Sequence, residues 1–529
     1  MGCSLRHQLR RYPELYGRGI QQTMKRSKGR TNALLWVICV AIVAGLTAAT
    51  AGSAGKRARR ILSRTGVDGG LVVHVGCDDG KLTAGLRRDD GFTVQGLDAD
   101  PQDVRKARAR IRSRKLYGEV SVRHWDGTKL PYANNLVNLL IVESDAPSEK
   151  EMMRVLSPGA CAYVRTENGW TRKVKPRPET IDEWTHYLHG PNNNAVAQDS
   201  VVGPPRHIQW TGRPRFSRSH DHLASVSATV SAGGRMFYIV DEGSTAFAAA
   251  SPDWRLVARD AFSGVVLWKR KISPWEYHLR DFRSGPAALP RRLVAAGDKV
   301  YVTLGYGKPV SVLDAATGET IRTCEGTKGA QEIIRHKDDL LVVVGERKTD
   351  WRAKKAKNIV SQKDYRPPFG KYTPPAQDKE VVAVDADTGK VLWKNAEPYA
   401  STLMPTTLAA SGERVFFQNA GQVVCLARKT GALQWKAKRP TQRRRLAWST
   451  PTLVVKDGVV YSADRRAVDT SGELLWLPSG GFHSYIRGKS RKGKLIAFDA
   501  KTGKRIWSCP AYEGFNAPVD VLLPDGLLW

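Results

Sequence analysis

The sequence predicts two domains of different class, a doubly wound α/β domain followed by an all-β propeller. Strand-like and helix-like segments alternate over residues 60–166, which is the pattern of a parallel sheet covered by helices. After residue 205 a hairpin motif recurs five times, and such recurrence is typical of repeat architectures. The composition agrees, because 41% hydrophobic and 26% charged residues exclude both wholesale disorder and a multi-span membrane protein.

An apolar run at residues 33–46 precedes both domains and is followed by small residues and the basic sequence KRARR. Its 14 residues are fewer than the roughly 20 of a membrane helix, but they suit the hydrophobic part of a secretory signal. We assign residues 1–55 to a signal peptide or, as the alternative, to an uncleaved membrane anchor, with Met24 as a candidate true start. Either form predicts a periplasmic or cell-envelope protein that contacts the membrane only through this segment.

The net charge of +33 results from 84 Lys and Arg against 51 Asp and Glu. These charges are spread along the chain, so we expect no specific nucleic-acid partner. The seven cysteines form no CxxC pair and no CxxCH, which excludes a zinc ribbon and a covalently attached haem.

A glycine loop and an acidic residue stand at the ends of the first two predicted strands. The apolar run 71–75 ends in Gly76-Cys77-Asp78-Asp79-Gly80, and the second strand, 93–97, ends at Asp98. In dinucleotide-type folds such a loop and the following helix hold a cofactor, and the later carboxylate binds ribose hydroxyls. Asp98 follows Gly76 by 22 residues, so this unit predicts a nucleotide-type cofactor site.

The remaining elements complete the α/β domain. Asp100 and Pro101 predict the N-cap and first turn of a helix whose buried face carries Val104, Ala107 and Ile111. Three further strands are predicted at 120–125, 136–142 and 160–164.

The order of these pieces resembles class I S-adenosylmethionine-dependent methyltransferases. The matching segments are HVGCDDGKLT, GLDADP, WDGTKLPYANNLVNLLIV and VLSPGACAYV. The resemblance implies that Gly76, Cys77 and Gly80 line the methionine moiety of S-adenosylmethionine, that Asp98 binds the ribose and that Asp126 lies beside the adenine.

Three departures from that family leave the activity open. His74 and Asp78 stand where the family has an acidic residue and its middle glycine, and its closing antiparallel strands are not evident after residue 166. No catalytic residue is identified; the segment Glu143–Pro147 is either a place for a base or an ordinary loop. The domain is therefore either an active methyltransferase or a degenerate cofactor-binding domain.

Five copies of a motif close to D-A-x-T-G-x-x-x-W dominate the rest of the chain, and Arg322 stands at the tryptophan position of the second copy. Each copy contains a strand, a glycine turn and a second strand in succession, which is the pattern of a β-hairpin. Most copies are preceded by another pair of predicted strands. About four strands per unit predict a propeller blade, in which the turn and the tryptophan pack blade against blade. The turn glycines are Gly264, Gly318, Gly389, Gly431 and Gly503, and their spacings of 54, 71, 42 and 72 residues predict insertions or an unrecognised blade in the two long intervals.

These repeats resemble the pyrroloquinoline-quinone (PQQ) propeller family, which includes quinoprotein alcohol dehydrogenases and the assembly lipoprotein BamB. The sequence DEWTHYLHGPNNNAVAQ through HIQW resembles the opening strand of such propellers, so residues 167–204 are assigned to a linker and that strand. Residues 205–529 are assigned to the propeller, with its last blade incomplete at Trp529. No vicinal disulfide, calcium cluster or haem motif accompanies the repeats, so we do not expect bound PQQ.

Four histidines form the densest imidazole cluster: His186, His189, His220 and His222. They are candidate metal ligands, or separate loop histidines paired with the backbone, and we expect the second. Three functions remain open: a binding or scaffold protein whose propeller recognises a protein or polysaccharide, an S-adenosylmethionine-dependent methyltransferase, and a PQQ-dependent oxidoreductase.

Overall fold

The computed structural model describes residues 53–203, 208–213, 215–216, 218, 224–247, 250–276, 287–345, 378–441, 450–465, 492–512 and 520–529. Residues 1–52 of the predicted signal or anchor segment, His220 and His222 lie outside these residues, and residues 53–55 of that segment form the start of the first helix. Among the described helices, none combines the length and the hydropathy that a membrane crossing needs.

The N-terminal domain is a six-stranded sheet in the order β3-β2-β1-β4-β5-β6, which confirms the doubly wound α/β class. The first five strands are parallel, and β6 runs antiparallel to β5. In chain order the elements are α1 (Ser53–Thr65), β1 (Gly70–Val75), α2 (Lys81–Leu86), β2 (Phe92–Asp98), α3 (Pro101–Ser113), β3 (Val120–His124), β4 (Val137–Val142), α4 (Glu149–Val155), β5 (Leu156–Thr166) and β6 (Gly169–Val174).

The sheet continues past residue 166, so one closing antiparallel strand is present where the sequence showed none. Strand β6 reads GWTRKV, and its residues are half-buried or exposed, so it lacks the apolar run by which buried strands are recognised. Trp170 of β6 stacks on Tyr163 of β5, with ring centroids 4.7 Å apart. Cross-strand pairing therefore holds a strand that its own hydropathy does not indicate.

Helix α3 begins as its sequence predicts. The Asp100 carboxylate accepts a hydrogen bond of 2.7 Å from the amide of Gln102, and Pro101 occupies the first helical position. Val104, Ala107 and Ile111 are buried against the sheet, which confirms the predicted apolar face.

Five four-stranded antiparallel sheets follow, and they are blades 1 to 5 of the predicted propeller. The first strands of successive blades contact one another, so they line the propeller axis. Blade 1 comprises β7 (Val226–Ala232), β8 (Arg235–Asp241), β9 (Trp254–Asp260) and β10 (Val266–Lys271); blade 2 comprises β11 (Leu293–Ala296), β12 (Lys299–Thr303), β13 (Val310–Asp314) and β14 (Thr320–Thr323); blade 3 comprises β15 (Ala330–His336), β16 (Asp339–Val344), β17 (Glu380–Asp385) and β18 (Val391–Asn395); blade 4 comprises β19 (Ala409–Ser411), β20 (Arg414–Gln418), β21 (Gln422–Ala427) and β22 (Leu433–Lys438); blade 5 comprises β23 (Thr452–Lys456), β24 (Val459–Arg465), β25 (Lys492–Asp499) and β26 (Arg505–Tyr512). A short helix, α5 (Pro398–Ser401), joins blades 3 and 4.

Consecutive repeats lie in consecutive blades, which explains the two long glycine spacings. Blades 3 and 5 each carry an insertion between their second and third strands, at residues 345–379 and 466–491. The long spacings are therefore insertions within a blade.

In three of the repeats the tryptophan packs on the glycine turn of the next blade. The Trp268 indole donates a 3.0 Å hydrogen bond to the carbonyl of Ala315, and its ring lies over Gly318. Gly318 has a φ of +74°, and a β-carbon there would lie 2.6 Å from the ring, so both the turn and the packing require glycine. The same arrangement recurs between Trp210 and Gly264, Trp393 and Gly431, and Trp435 and Gly503, whereas Arg322 takes the tryptophan's place over Gly389.

Residues 184–194, here called the axial segment, bind the first strand of every described blade. Backbone amides of these strands donate to Trp184 O, Thr185 O, His186 Nε2, Pro191 O and Asn192 O, from Ser231, Ala295, Arg335, Ala410 and Val455 respectively. Asn194 adds a reciprocal pair with the backbone of Leu523. The sequence assigned residues 167–204 to a linker and the opening strand of the propeller, and in the structure residues 184–194 contact the first strand of all five described blades.

A buried ion pair lies beside the axial segment. Arg291 donates to Glu332 Oε2 at 2.9 Å, to Asn193 Oδ1 at 2.8 Å and to the carbonyl of Leu408 at 2.6 Å. The two charged side chains are 3% and 1% exposed, so the pair is sealed from solvent. We call Arg291, Glu332 and Asn193 the axial network.

Blade 1 contacts the α/β sheet at the amino ends of its strands. Asn138 of β4 donates to Asp260 of blade 1 at 2.7 Å, and Leu267 of β10 packs against Gly69. A β-carbon on Gly69 would lie 2.7 Å from the Leu267 side chain, so glycine permits this approach. The carboxyl ends of the parallel strands, where open α/β sheets bind ligands, lie at the opposite edge.

Candidate functional site

The carboxyl edge of the α/β sheet gathers the predicted site residues. The loop 76–80 follows β1, Asp98 ends β2, Asp126 follows β3 and Glu143 follows β4. The amide of Trp125 donates to the carbonyl of Asp98, which places the start of the Asp126 loop beside β2.

The two loop glycines serve close packing. Gly76 and Gly80 both have a φ of +73°, a backbone conformation that favours glycine. A β-carbon on Gly76 would collide with the Ser144 side chain, and one on Gly80 would lie 2.8 Å from the β-carbon of Ala107. These glycines let β4 and α3 approach the loop, and whether they also line the methionine moiety stays a prediction.

Asp98 is held in a fixed orientation. Its Oδ2 accepts from the amide of Asp78 at 2.9 Å, its Oδ1 accepts from the amide of Asp100 at 3.0 Å, and the residue is 8% exposed. Each carboxylate oxygen has a second lone-pair site, so Asp98 retains acceptors for a pair of ribose hydroxyls. Its position fits the ribose half of the cofactor that the resemblance implies.

Asp78 keeps the backbone of a glycine but brings a carboxylate. Its φ is +45°, the left-handed conformation that glycine adopts without strain. Partial desolvation, followed by the negative charges of Glu143 and Asp98, raises the pKa of the Asp78 carboxylate. A cofactor carboxylate at this end of the loop would meet three like charges, so the residues present do not fit the methionine half as well as they fit the ribose half.

The side chain of Cys77 does not line the loop. It is 3% exposed and belongs to the core between β1 and β2, where a β-carbon on Gly96 would lie 3.0 Å from its sulfur. Burial and the nearby Asp98 carboxylate raise the pKa of the thiol. The predicted cofactor contact of Cys77 is therefore restricted to its backbone.

Asp126 is exposed and closes its own turn. Its Oδ1 accepts from the amide of Thr128 at 3.1 Å and from the Thr128 hydroxyl at 2.7 Å, and these bonds lower its pKa. Its other oxygen is available to a ligand, so contact with an adenine stays a prediction.

The end of β4 carries a network that the sequence did not predict. Glu143 Oε1 pairs with His74 Nε2 at 3.1 Å, and Glu143 Oε2 accepts from Arg57 of α1 at 2.7 Å. Burial alone would raise the pKa of Glu143, but the bonds from His74 and Arg57 outweigh it and lower that pKa. His74 is 1% exposed and its Nδ1 pairs with Thr83 Oγ1 at 2.9 Å. We call Arg57, Glu143 and His74 the edge network.

The sequence contained one signal for the edge network. His74 occupies the family's acidic position, and its imidazole pairs with Glu143. Arg57 belongs to the KRARR run, which the sequence suggested only as the flank of a signal segment.

His186 and His189 pair with the protein itself. His186 is buried, its Nε2 accepts from the amide of Arg335 at 3.0 Å, and burial and the charge of Arg291 lower its pKa to about 3. His189 pairs with Asp182 at 2.6 Å. Within the described ranges no cluster of His, Cys, Asp or Glu has the arrangement of a metal site.

Comparisons with known proteins match the two halves separately. Residues 72–159 match the family model described as methyltransferase domain, and residues 255–508 match that of outer membrane protein assembly factor BamB. The chain is 34% identical over 115 residues to methyltransferase GfsG of Streptomyces halstedii, covering 20% of this chain and 41% of that protein. It is 28% identical over 148 residues to quinoprotein ethanol dehydrogenase of Pseudomonas aeruginosa, covering 26% of this chain and 21% of that protein.

Among solved structures, BamB from Moraxella catarrhalis is 14% identical, with a TM-score of 0.27 over 54% of this chain and 61% of that one. The chain spans less than half the length of either curated relative. The two family models, with the sheet orders and the blade packing described above, identify the chain as a fusion of a methyltransferase-like α/β domain with a PQQ-like, BamB-like β-propeller.

Proposed function

We propose that this chain is a binding protein, in which the propeller recognises a partner and the α/β domain binds the adenosyl end of S-adenosylmethionine without transferring its methyl group. The observation that carries the proposal is the edge network, because both oxygens of Glu143 are already engaged.

Cofactor binding is supported by the orientation of Asp98. Two amides hold its carboxylate before any ligand arrives, so little side-chain freedom is lost when ribose hydroxyls bind. The loop also keeps left-handed backbone at Gly76, Asp78 and Gly80 despite the Asp78 substitution, so the nucleotide-type loop conformation is preserved.

The absence of methyl transfer is supported at the end of β4, where the sequence suggested a base. A general base needs a free carboxylate or imidazole with a pKa near the working pH. Glu143 is paired on both oxygens with its pKa lowered, and Ser144 donates to Asp145 at 3.2 Å. These groups stabilise the edge of the sheet instead.

Methyl transfer remains the second candidate for one reason. The Arg57 side chain is 42% exposed, so its bond to Glu143 can open toward solvent at small cost. Opening would release one oxygen of Glu143 beside the loop.

We also propose that the protein works in the periplasm or cell envelope. The apolar run 33–46 and the small residues after it support export. A fusion of residues 1–60 to alkaline phosphatase tests this, because the phosphatase is active only outside the cytoplasm; an inactive fusion contradicts export.

Calorimetric titration of the full chain with S-adenosylmethionine and S-adenosylhomocysteine tests the binding proposal. We expect micromolar binding of both ligands by the wild-type chain, and binding weakened about tenfold or more in Asp98→Ala, because the hydroxyls lose a charged acceptor. Asp90→Ala is the matched control, since its carboxylate is 99% exposed and lies before β2.

Two results contradict the proposal. If a chain that melts cooperatively bound neither ligand, the α/β domain would not be a binding site for S-adenosylmethionine. Conversion of S-adenosylmethionine to S-adenosylhomocysteine, lost in Asp98→Ala, would establish the second candidate instead.

A further inference from the structure

Helices α1, α2 and α3 lie side by side on one face of the α/β sheet. Their buried residues share one core with alternate residues of β1 to β5, whereas α4 belongs to the core on the opposite face. Gly85 of α2 lies against Ala58 of α1, and Gly80, which precedes α2, lies against Ala107 of α3. The three helices therefore present one outer surface.

This outer surface is strongly basic. Helices α1 and α3 each carry five Lys and Arg residues and α2 carries one, whereas Asp103 is the only acidic residue within the three helices. Helix α4, on the opposite face, carries two basic and two acidic residues. Positive charges that are spread along the sequence are therefore concentrated by the fold on one face of the domain.

The outward side of α1 has no counter-charge within the protein. Lys56, Arg59 and Arg60 are exposed and lie opposite the buried residues of the helix. Arg57, at the side of the helix, pairs with Glu143, but no carboxylate among the described residues forms an ion pair with the other three. We call Lys56, Arg59 and Arg60 the basic patch.

The neighbouring cations of the same layer differ from the basic patch because they have partners. Lys81, Arg87, Arg88, Lys106 and Arg110 each form an ion pair with an aspartate. The uncompensated charge of the layer therefore includes the outward side of α1.

The propeller leaves the basic patch uncovered. Asn138 and Gly69, which contact blade 1, stand at the amino ends of the strands. Helix α1 begins at the opposite, carboxyl edge, where Arg57 donates to Glu143. The residues of the basic patch stay exposed with the propeller in place, so a large partner can reach them.

The sequence that precedes α1 indicates which partner this is. The apolar run 33–46 ends seven residues before Ser53, the first residue of α1. Seven extended residues span at most about 25 Å, so an anchored chain begins α1 within about that distance of the bilayer core. Anionic lipid headgroups at that surface carry the negative charge that the basic patch lacks within the protein.

We infer that the basic patch lies against the surface of an anionic phospholipid bilayer. The apolar side of α1 is engaged in the core of the domain, so the helix contacts lipid phosphates through its charges and does not insert. A nucleic acid is disfavoured, because α1 carries no aromatic side chain on which bases would stack.

This inference goes beyond the proposed function, which assigns no role to this face of the domain. It shares only the run 33–46 with the proposal of export. The phosphatase fusion tests the sequence of residues 1–60, whereas binding through the basic patch depends on the folded α/β domain, so either result can fail while the other holds.

Sedimentation of the full chain with lipid vesicles tests the inference. We expect the wild-type chain to bind vesicles that contain phosphatidylglycerol about tenfold more tightly than vesicles of phosphatidylcholine alone, because only the former are anionic. High salt should remove this difference, since it screens the charges of exposed side chains.

The triple variant Lys56→Gln/Arg59→Gln/Arg60→Gln locates the contact. We expect it to bind the phosphatidylglycerol vesicles about tenfold more weakly than the wild type and the phosphatidylcholine vesicles equally well. Glutamine is a good helix former, so the melting temperature should not change. The matched control is Lys390→Gln/Lys429→Gln/Lys501→Gln, which removes the same charge from exposed turns of blades 3, 4 and 5.

Three outcomes overturn the inference. The first is equal binding of the wild-type chain to the two kinds of vesicle. The second is an equal loss of binding in the triple variant and the control, which would make net charge responsible and not the basic patch. The third is displacement from the vesicles by duplex DNA or polyglutamate at equal charge concentration, which would assign the patch to a nucleic acid or to an acidic protein.

Discussion

Two arginine–carboxylate networks in this chain have the same chemistry and opposite surroundings. In the axial network Arg291 and Glu332 are 3% and 1% exposed, and the backbone of Thr406 and Leu408, just before blade 4, completes their bonds. In the edge network Arg57 is 42% exposed and Glu143 is 11% exposed. The axial pair is enclosed by the propeller, whereas Arg57 of the edge pair is open to solvent.

The difference indicates which network is structural and which can respond to a ligand. If one partner of a buried ion pair is removed, the other charge stays buried without a counter-charge, which is strongly destabilising. The axial pair therefore stabilises the packing of the blades around the axial segment. A pair with one exposed partner can open at small cost because water replaces the lost bonds. The edge network therefore suits a site that a ligand enters, and the axial network does not.

Breaking the axial network should have the largest effect. In Arg291→Met, the Glu332 carboxylate stays buried without its counter-charge, and we expect the propeller to lose about 3–5 kcal/mol of unfolding free energy. The shift of the urea midpoint, followed by tryptophan fluorescence, measures the loss. The double variant Arg291→Met/Glu332→Leu should recover part of it; a double variant as unstable as the single one would contradict the buried-charge explanation.

Removing one blade-to-blade tryptophan should have a smaller effect. Trp393 is 8% exposed, packs on Gly431 and donates to the carbonyl of Arg428 at 2.7 Å. We expect Trp393→Ala to cost about 3 kcal/mol in the same urea experiment, because it leaves a cavity between blades 3 and 4. Arg322→Ala, at the equivalent place in blade 2, should cost less because its bond to Ala386 is 3.5 Å long. Equal costs would show that the ring contributes no special packing.

The edge network should give the smallest effect, and one that depends on pH. The folded pKa of Glu143 is lowered from its ordinary 4.5, so its contribution to stability is complete above that pH and is lost as the pH falls through the folded pKa. Melting temperatures of the wild-type chain between pH 3 and 6 should therefore fall more steeply than those of Glu143→Gln. Glu149→Gln is the control, because its carboxylate is 62% exposed. Parallel curves for the wild type and Glu143→Gln would contradict the assigned role of the network.

The sequence by itself determined the features that depend on neighbouring residues. Asp100 and Pro101 start α3 because an N-cap needs only the next turn of chain. The five glycine turns, four of them followed by a tryptophan four residues later, predicted blades because the same hairpin recurs along the chain. The glycine loop and Asp98 likewise follow from the strand–loop–helix order.

Only the tertiary structure decided the contacts between distant segments. Arg57 and Glu143 meet across 86 residues, and Asn193 bonds the carbonyl of Leu453 across 260 residues. The axial segment shows no periodicity, because each of its residues pairs with a different blade. Local sequence patterns also did not predict strand β6 or the burial of the Cys77 side chain in the core. Hydropathy and residue spacing indicate which face of a single helix or strand is buried. They do not indicate which distant strand packs against that face, and the contacts named here depend on that packing.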